Sequence, residues 1–147
     1  MRLARTVAFA GLSMSFVLAA GNQSHDWPVY GGPGQTRYSS LRQINKSNVA
    51  RLKVAWTYDT ADGSNASQTH PIVVGGALYG LTPTHKAIAV DATTGKLLWR
   101  FGSGMEGRGP NRGVVYWSDG TEQRIFAFHS LDRTQTPIHV WSFALRR

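Results

Sequence analysis

The chain has 147 residues, of which 41% are hydrophobic, with 16 glycines, no cysteine, and a formal net charge of +8 from 16 Lys and Arg against 8 Asp and Glu. This length suits one domain with a modest core, the missing cysteines exclude disulfides, thiolate metal sites and a lipidated cysteine anchor, and glycine punctuation favours an all-β fold over a helical one. The positive charge is scattered rather than gathered on one element among stacking aromatics, so no nucleic-acid partner is expected.

Residues 1–23 have the form of a cleavable signal peptide. Arg2 and Arg5 precede an apolar stretch from Thr6 to Ala20, and the small residues Ala19, Ala20 and Gly21 follow. The stretch is short for a membrane span and is interrupted by Gly11, Ser13 and Ser15, so no stable span is expected and the mature chain is read as exported. From His25 to Ser40 the chain is rich in Gly, Pro and Ser, with Trp27, Tyr30 and Tyr38 at no helical period, which predicts an irregular segment packed by its rings. Ser47 or Asn48 is placed to cap a short helical turn at Val49 to Leu52. Leu52, Val54, Trp56 and Tyr58 then alternate with Lys53, Ala55 and Thr57, as one strand would. Asp59 to Ser67 reads as a polar loop; its two aspartates are too few for a calcium loop, and a solvated turn is expected there.

Pro71 to Phe101 is the most regular stretch. Ile72 to Val74 and Ala77 to Leu81 flank Gly75-Gly76, the residue pair that a tight hairpin turn demands. Thr82 to Lys86 connects to a third apolar run, Ala87 to Val90, and Asp91 to Lys96, turning at Gly95, connects to a fourth, Leu97 to Phe101. Four short strands joined by short turns make an antiparallel meander, the unit of propeller blades. A glycine-rich loop, Gly102 to Gly113, leads to further runs at Val114 to Trp117 and Ile125 to Phe128, which open a second blade. Beyond His129 the pattern fails, so 24–128 is read as the folded part and 129–147 as an aberrant or disordered tail.

Three stretches carry a resemblance. Ala89-Val-Asp-Ala-Thr-Thr-Gly-Lys-Leu-Leu-Trp99 looks like the tryptophan-docking motif of the pyrroloquinoline quinone (PQQ)-dependent dehydrogenases. In that motif the Gly admits a turn, the Asp bonds turn amides, and the Trp packs on the neighbouring blade. Asp26 to Gly32, with Thr36 to Ser39 and Leu41 to Val49, resembles the mature N-terminus of that family, and Asn111 to Trp117 resembles its Arg-Gly-x-x-Tyr-Trp element. The stretches occur in family order, which is more specific than any one of them. The resemblance implies the N-terminal portion of an eight-bladed β-propeller, incomplete here: one complete four-stranded blade and part of another.

It also implies PQQ near the propeller axis, calcium holding the quinone, oxidation of a sugar or alcohol, an external electron acceptor, and a periplasmic location. Arg112 matches the family arginine that pairs with a quinone carboxylate, a group a guanidinium fork fits with two hydrogen bonds. Gln68 matches a position where relatives place Glu or Gln against the cofactor, and its amide can donate to a carboxylate. The family's adjacent cysteine pair before the arginine is missing from Gly104 to Pro110, which points toward the sugar or polyol branch, while some glucose dehydrogenases carry His where this chain has Trp117.

The family's catalytic aspartate and calcium ligands lie downstream of the matched stretches, so no catalytic residue is assigned. His25, His70, His85, His129 and His139 lack metal-ligand spacing, and no metal ligand is assigned either. The expected function is a fragment of a glucose-type PQQ dehydrogenase, inactive alone. The alternative is a non-enzymatic propeller scaffold of the cell envelope. A blade needs neighbours on both faces, so the isolated chain is expected to be marginally stable or to aggregate.

Overall fold

The computed structural model describes residues 26–63, 68–102, 104, 107, 110–129 and 139–145. The expected signal peptide, 1–23, lies outside them. The fold is all-β, in two antiparallel sheets. Sheet 1 is a meander of β1 (Ile72–Val74), β2 (Ala77–Leu81), β3 (Ala87–Asp91) and β4 (Leu97–Phe101), in spatial order β1-β2-β3-β4. Sheet 2 is β5 (Val114–Ser118), β6 (Gln123–His129) and β7 (His139–Ala144), again in chain order. One full blade and part of a second are therefore present. Among the described residues no helix is long and apolar enough to cross a membrane.

Local chemistry explains the meander. Gly75 and Gly76 take φ of 58° and 79°, the left-handed pair a two-residue hairpin needs, and Val74 sits opposite Ala77. Asp91 closes the β3–β4 turn by accepting hydrogen bonds from the Thr93 N–H (3.0 Å), the Thr94 N–H (2.7 Å) and the Thr94 hydroxyl (2.8 Å). These bonds, the Thr94 hydroxyl foremost, hold the Asp91 carboxyl below its ordinary pKa. At Gly75 an added Cβ would meet nothing within 4 Å, so Gly75→Ala is expected to cost only the left-handed backbone penalty, about 1 kcal/mol. Urea denaturation at fixed chain concentration checks this; a loss of several kcal/mol would mean the turn is packed against something.

The sheets meet face to face. Alternate residues of sheet 1, namely Ile72, Val74, Ala77, Tyr79, Leu81, Ala87 and Ala89, pack with Val114, Ile125 and Ala127 of sheet 2. Trp99 of β4 stacks on Phe143 of β7 at 5.2 Å between ring centroids, and Phe101 meets Phe143 edge-on at 5.1 Å. The docking-motif tryptophan thus packs on the next sheet, as the resemblance implies.

The tail and the loop after Tyr58 differ from expectation. The tail expected over 129–147 contains β7, paired with β6 from Arg124 opposite Ala144 to His129 opposite His139; residues 130–138 lie outside the described residues. The strand forms because Trp141 and Phe143, two apart, share the face turned to β4, where Trp99 and Phe101 receive them. The loop after Tyr58 is not merely a solvated turn. Asp62 is buried, and its carboxylate accepts from the hydroxyls of Thr82 and Thr84 and pairs with the Lys86 ammonium at 2.5 Å. Burial alone would raise its pKa. The hydrogen bonds from Lys86, Thr82 and Thr84, with the Lys86 charge, outweigh that and hold the carboxyl well below the usual carboxylate range.

The N-terminal segment wraps sheet 1 from 26 to 62. Trp27 exchanges two backbone hydrogen bonds with Val73, adding to the free edge of β1 (2.7 and 3.0 Å). A single 3-10 turn forms at Val49–Arg51, one residue shorter than expected, and neither Ser47 nor Asn48 caps it by a side-chain bond. Instead the Asn48 side chain ties the preceding loop, accepting from the Asn45 N–H and donating to the Gln43 carbonyl. Residues 52–58, expected from their alternation as a strand, form none: no strand pairs with them among the described residues.

Candidate functional site

β1 and β5 begin side by side. His70, two residues before β1, forms a parallel bridge with Gly113, the residue before β5, and its N–H donates to the Arg112 carbonyl at 3.4 Å. Sequence positions 42 residues apart thereby become neighbours at one end of the two sheets, and the two predicted site residues arrive with them. Gln68 lies two residues ahead of His70, and Arg112 directly precedes Gly113. Both are exposed.

The approach depends on what is missing at position 113. Gly113 has φ of 113°, and a Cβ there would fall 2.5 Å from the His70 carbonyl oxygen. Only glycine lets the two backbones come this close. Asn111 then fixes the loop from both sides: its carbonyl oxygen accepts from the Gly113 N–H (3.0 Å) and its amide donates to the Phe128 carbonyl on β6 (2.7 Å). On the other segment, the Thr69 hydroxyl accepts from the Leu81 N–H at 3.3 Å, tying Gln68 and its neighbours to β2. The backbone carrying each candidate side chain is thus held on both sides of the bridge.

The N-terminal segment reaches the same place. The Tyr30 ring lies 4.3 Å from that of His70, and Arg37 sits over Tyr30 at 5.5 Å while donating to its hydroxyl at 2.8 Å. A second guanidinium therefore stands at one remove from the bridge. Among the described residues the Arg112 guanidinium has no hydrogen-bond or ion-pair partner, and no three His, Asp or Glu side chains gather as a metal site. The donors at this end suit a polycarboxylate ligand.

Sequence reasoning named Gln68 and Arg112, placed Asn111 and Gly113 in the Arg-Gly element without a supporting role, and passed over Thr69. Their signal is the Asn-x-Gly spacing, in which a side-chain acceptor folds back onto an amide two residues on. Trp117 lies away from this end of β5 and shares the outward face of sheet 2 with Val115, both exposed.

Radially packing, meander-built sheets whose first strands run parallel at one end define the class: this is a part of a β-propeller. Comparison with protein families matches residues 27–136 to the family described as PQQ, glucose/ethanol/alcohol dehydrogenase, beta-propeller domain. The chain belongs to that PQQ-type dehydrogenase propeller family.

The chain is 40% identical over 107 residues to the dehydrogenase subunit of a quinone alcohol dehydrogenase of Gluconobacter oxydans (strain 621H), a match covering 67% of this chain and 14% of that protein. It is 43% identical over 89 residues to quinoprotein glucose dehydrogenase A of Acinetobacter calcoaceticus, covering 55% of this chain and 11% of that protein. A quinate/shikimate dehydrogenase (quinone) of Acinetobacter baylyi is 37% identical over 109 residues, covering 68% and 13%. The chain spans about one seventh or less of the length of these relatives.

Proposed function

We propose that this chain supplies the N-terminal blades of an exported, periplasmic PQQ-dependent dehydrogenase acting on a sugar or polyol, of the glucose type, and that it has no dehydrogenase activity by itself. The observation that carries the reading is the His70–Gly113 bridge, which brings to one end of two adjacent sheets Gln68 and Arg112, whose guanidinium has no partner among the described residues. Relatives named as quinone alcohol, glucose and quinate dehydrogenases support the redox class. The missing cysteines between Gly104 and Pro110 support the sugar or polyol branch.

Within that reading this chain binds and orients. Arg112 would hold one quinone carboxylate with two charge-assisted hydrogen bonds, and Gln68 would donate its amide to another carboxylate or a ring oxygen. Asn111 and Thr69 hold the two backbones so that these donors keep their spacing. Bound PQQ would supply the two-electron acceptor for substrate oxidation, and its electrons would leave to a quinone or other external acceptor. Calcium, which the family pairs with the quinone, is assigned no ligand on this chain.

The test is titration of the purified chain with PQQ and calcium, followed by tryptophan fluorescence and cofactor absorbance. The expected result is saturable binding that Arg112→Ala weakens about tenfold or more, the equivalent of about 1.4 kcal/mol. Arg112→Lys should recover only part of it, because an ammonium lacks the two-pronged fit, and Gln68→Ala should cost a smaller factor. Absence of any binding by the unaltered chain would sink the proposal and favour the envelope-scaffold reading.

A further inference from the structure

The loop that carries Arg112 has little means of holding its own shape. Between the end of β4 and the start of β5, glycines stand at 102, 104, 107, 109 and 113, and glycine restrains a backbone least. The chain has no cysteine with which a disulfide could close the loop. Its path is therefore set by contacts with other segments. Near β5, Asn111 supplies one, through its bond to the Phe128 carbonyl on β6. Two more lie further back, and both lead to Asp62.

Gly107 is buried, and its N–H donates to the Thr84 carbonyl at 3.1 Å. Thr84 is held in turn by Asp62, whose Oδ2 accepts from the Thr84 hydroxyl at 2.6 Å. Gly102 lies along the Lys86 stem, so that a Cβ there would meet Cγ, Cδ and Cε at 3.4, 3.5 and 3.6 Å. The Lys86 ammonium is held by the other carboxylate oxygen, Oδ1. One buried carboxylate thus fixes both residues against which the loop rests, one with each oxygen, while the Thr82 hydroxyl ties it to the residue after β2. A buried ion pair adds little net stability over apolar side chains of similar volume, because both charges lose water. What it supplies here is geometry, since each oxygen takes charge-assisted donors at short, fixed spacing.

We propose that Asp62 is a positioning residue for the quinone site: through Thr84 and Lys86 it sets the path of the loop from Gly102 to Gly113, and so the place at which the Arg112 guanidinium meets a ligand carboxylate. The proposal rests on the quinone reading of Arg112. Among the described residues no hydrogen bond or ion pair joins Asp62 to Arg112, so the effect travels through the loop backbone.

The test has one arm with quinone and one without. In the first, the Kd for PQQ in the presence of calcium is measured for the full chain, Asp62→Asn, Arg112→Ala and the double variant, with circular dichroism showing that each is folded. Asn keeps the size of the side chain and loses its charge. Asp62→Asn should weaken binding about fivefold when Arg112 is present and less than about twofold when it is absent, because a positioning residue has nothing left to position. Equal losses in both backgrounds, or no loss, would overturn the proposal. In the second arm, tryptic cleavage after Arg112 is compared with cleavage after Arg100 in β4, which requires the sheet to open. The ratio of the two rates should rise about tenfold in Asp62→Asn, since the loop loosens locally. General destabilisation raises both rates together, and an unchanged ratio would also overturn the proposal. Should Asp62→Asn not fold, Thr84→Val takes its place with Thr84→Ser beside it. Val should raise the cleavage ratio and weaken PQQ binding, and Ser, which keeps the hydroxyl, should restore both; a Val variant like the unaltered chain overturns the idea. A raised cleavage ratio in a chain that binds no PQQ would support the hold of Asp62 on the loop while refuting the quinone reading.

Discussion

Gly113→Ala is expected to cost more than about 3 kcal/mol, combining a left-handed backbone penalty with overpacking against a rigid neighbour. The neighbour decides the size of the effect. At Gly75 an added methyl enters open space, whereas at Gly113 it falls 2.5 Å from the His70 carbonyl oxygen and 3.3 Å from the His70 nitrogen. Backbone held by β1 on one side and by the Tyr30–His70 ring contact on the other has little room to retreat. The junction between the sheets should open, displacing Arg112 from Gln68, so affinity for PQQ should fall along with stability. Urea denaturation of Gly113→Ala beside Gly75→Ala at one chain concentration makes the comparison. Equal losses would mean that the close approach is not maintained in solution.

Asp62→Ala should be nearly as damaging, at about 3 kcal/mol near neutral pH. The substitution leaves the Thr82 hydroxyl, in a residue 2% exposed, with no acceptor for its proton while it still accepts from the Lys86 N–H, and it leaves the Lys86 ammonium without its counter-ion. It also frees the loop that brings 59–63 onto the β2–β3 connection. The pH dependence follows from the depressed Asp62 pKa. The unfolded carboxyl titrates near 4, so the folded chain gains the full contribution above that pH and loses it as the medium becomes more acidic and the native carboxylate is forced to take a proton. Denaturation midpoints of the unaltered chain and Asp62→Ala, measured from pH 7 downward, should therefore lie far apart at pH 7 and converge in strong acid. A gap that stays constant with pH would show that the carboxylate charge is not the stabilising element.

What was legible in the sequence was local. Gly75-Gly76 allows only a tight turn, Asp91 to Gly95 contains its own hydrogen-bond acceptor and donors, and the short apolar runs from Ile72 to Phe101, parted by turn residues, specify a meander. Gln68 and Arg112 were legible in another way, through neighbouring motif residues, since nothing in their own spacing distinguishes them from exposed polar side chains. Asp62 and β7 were not legible. The aspartate sits in a stretch of polar residues, and only its position 20 and 24 residues from Thr82 and Lys86 in the folded chain turns it from a solvated group into a buried ion-pair partner. Trp141 and Phe143 form too short an alternation to stand out until Trp99 and Phe101 give them a surface.

By itself, then, the sequence determined β1 to β6, their turns and the family to which they belong, because short apolar runs and positive-φ turns are properties of contiguous residues. The tertiary structure decided which distant segments touch: His70 with Gly113, Trp56 with Gly95, and Asp62 with Lys86. Each of those contacts depends on shape at the meeting point, a missing Cβ or a buried charge with its donors, and such complementarity exists only once both partners are folded.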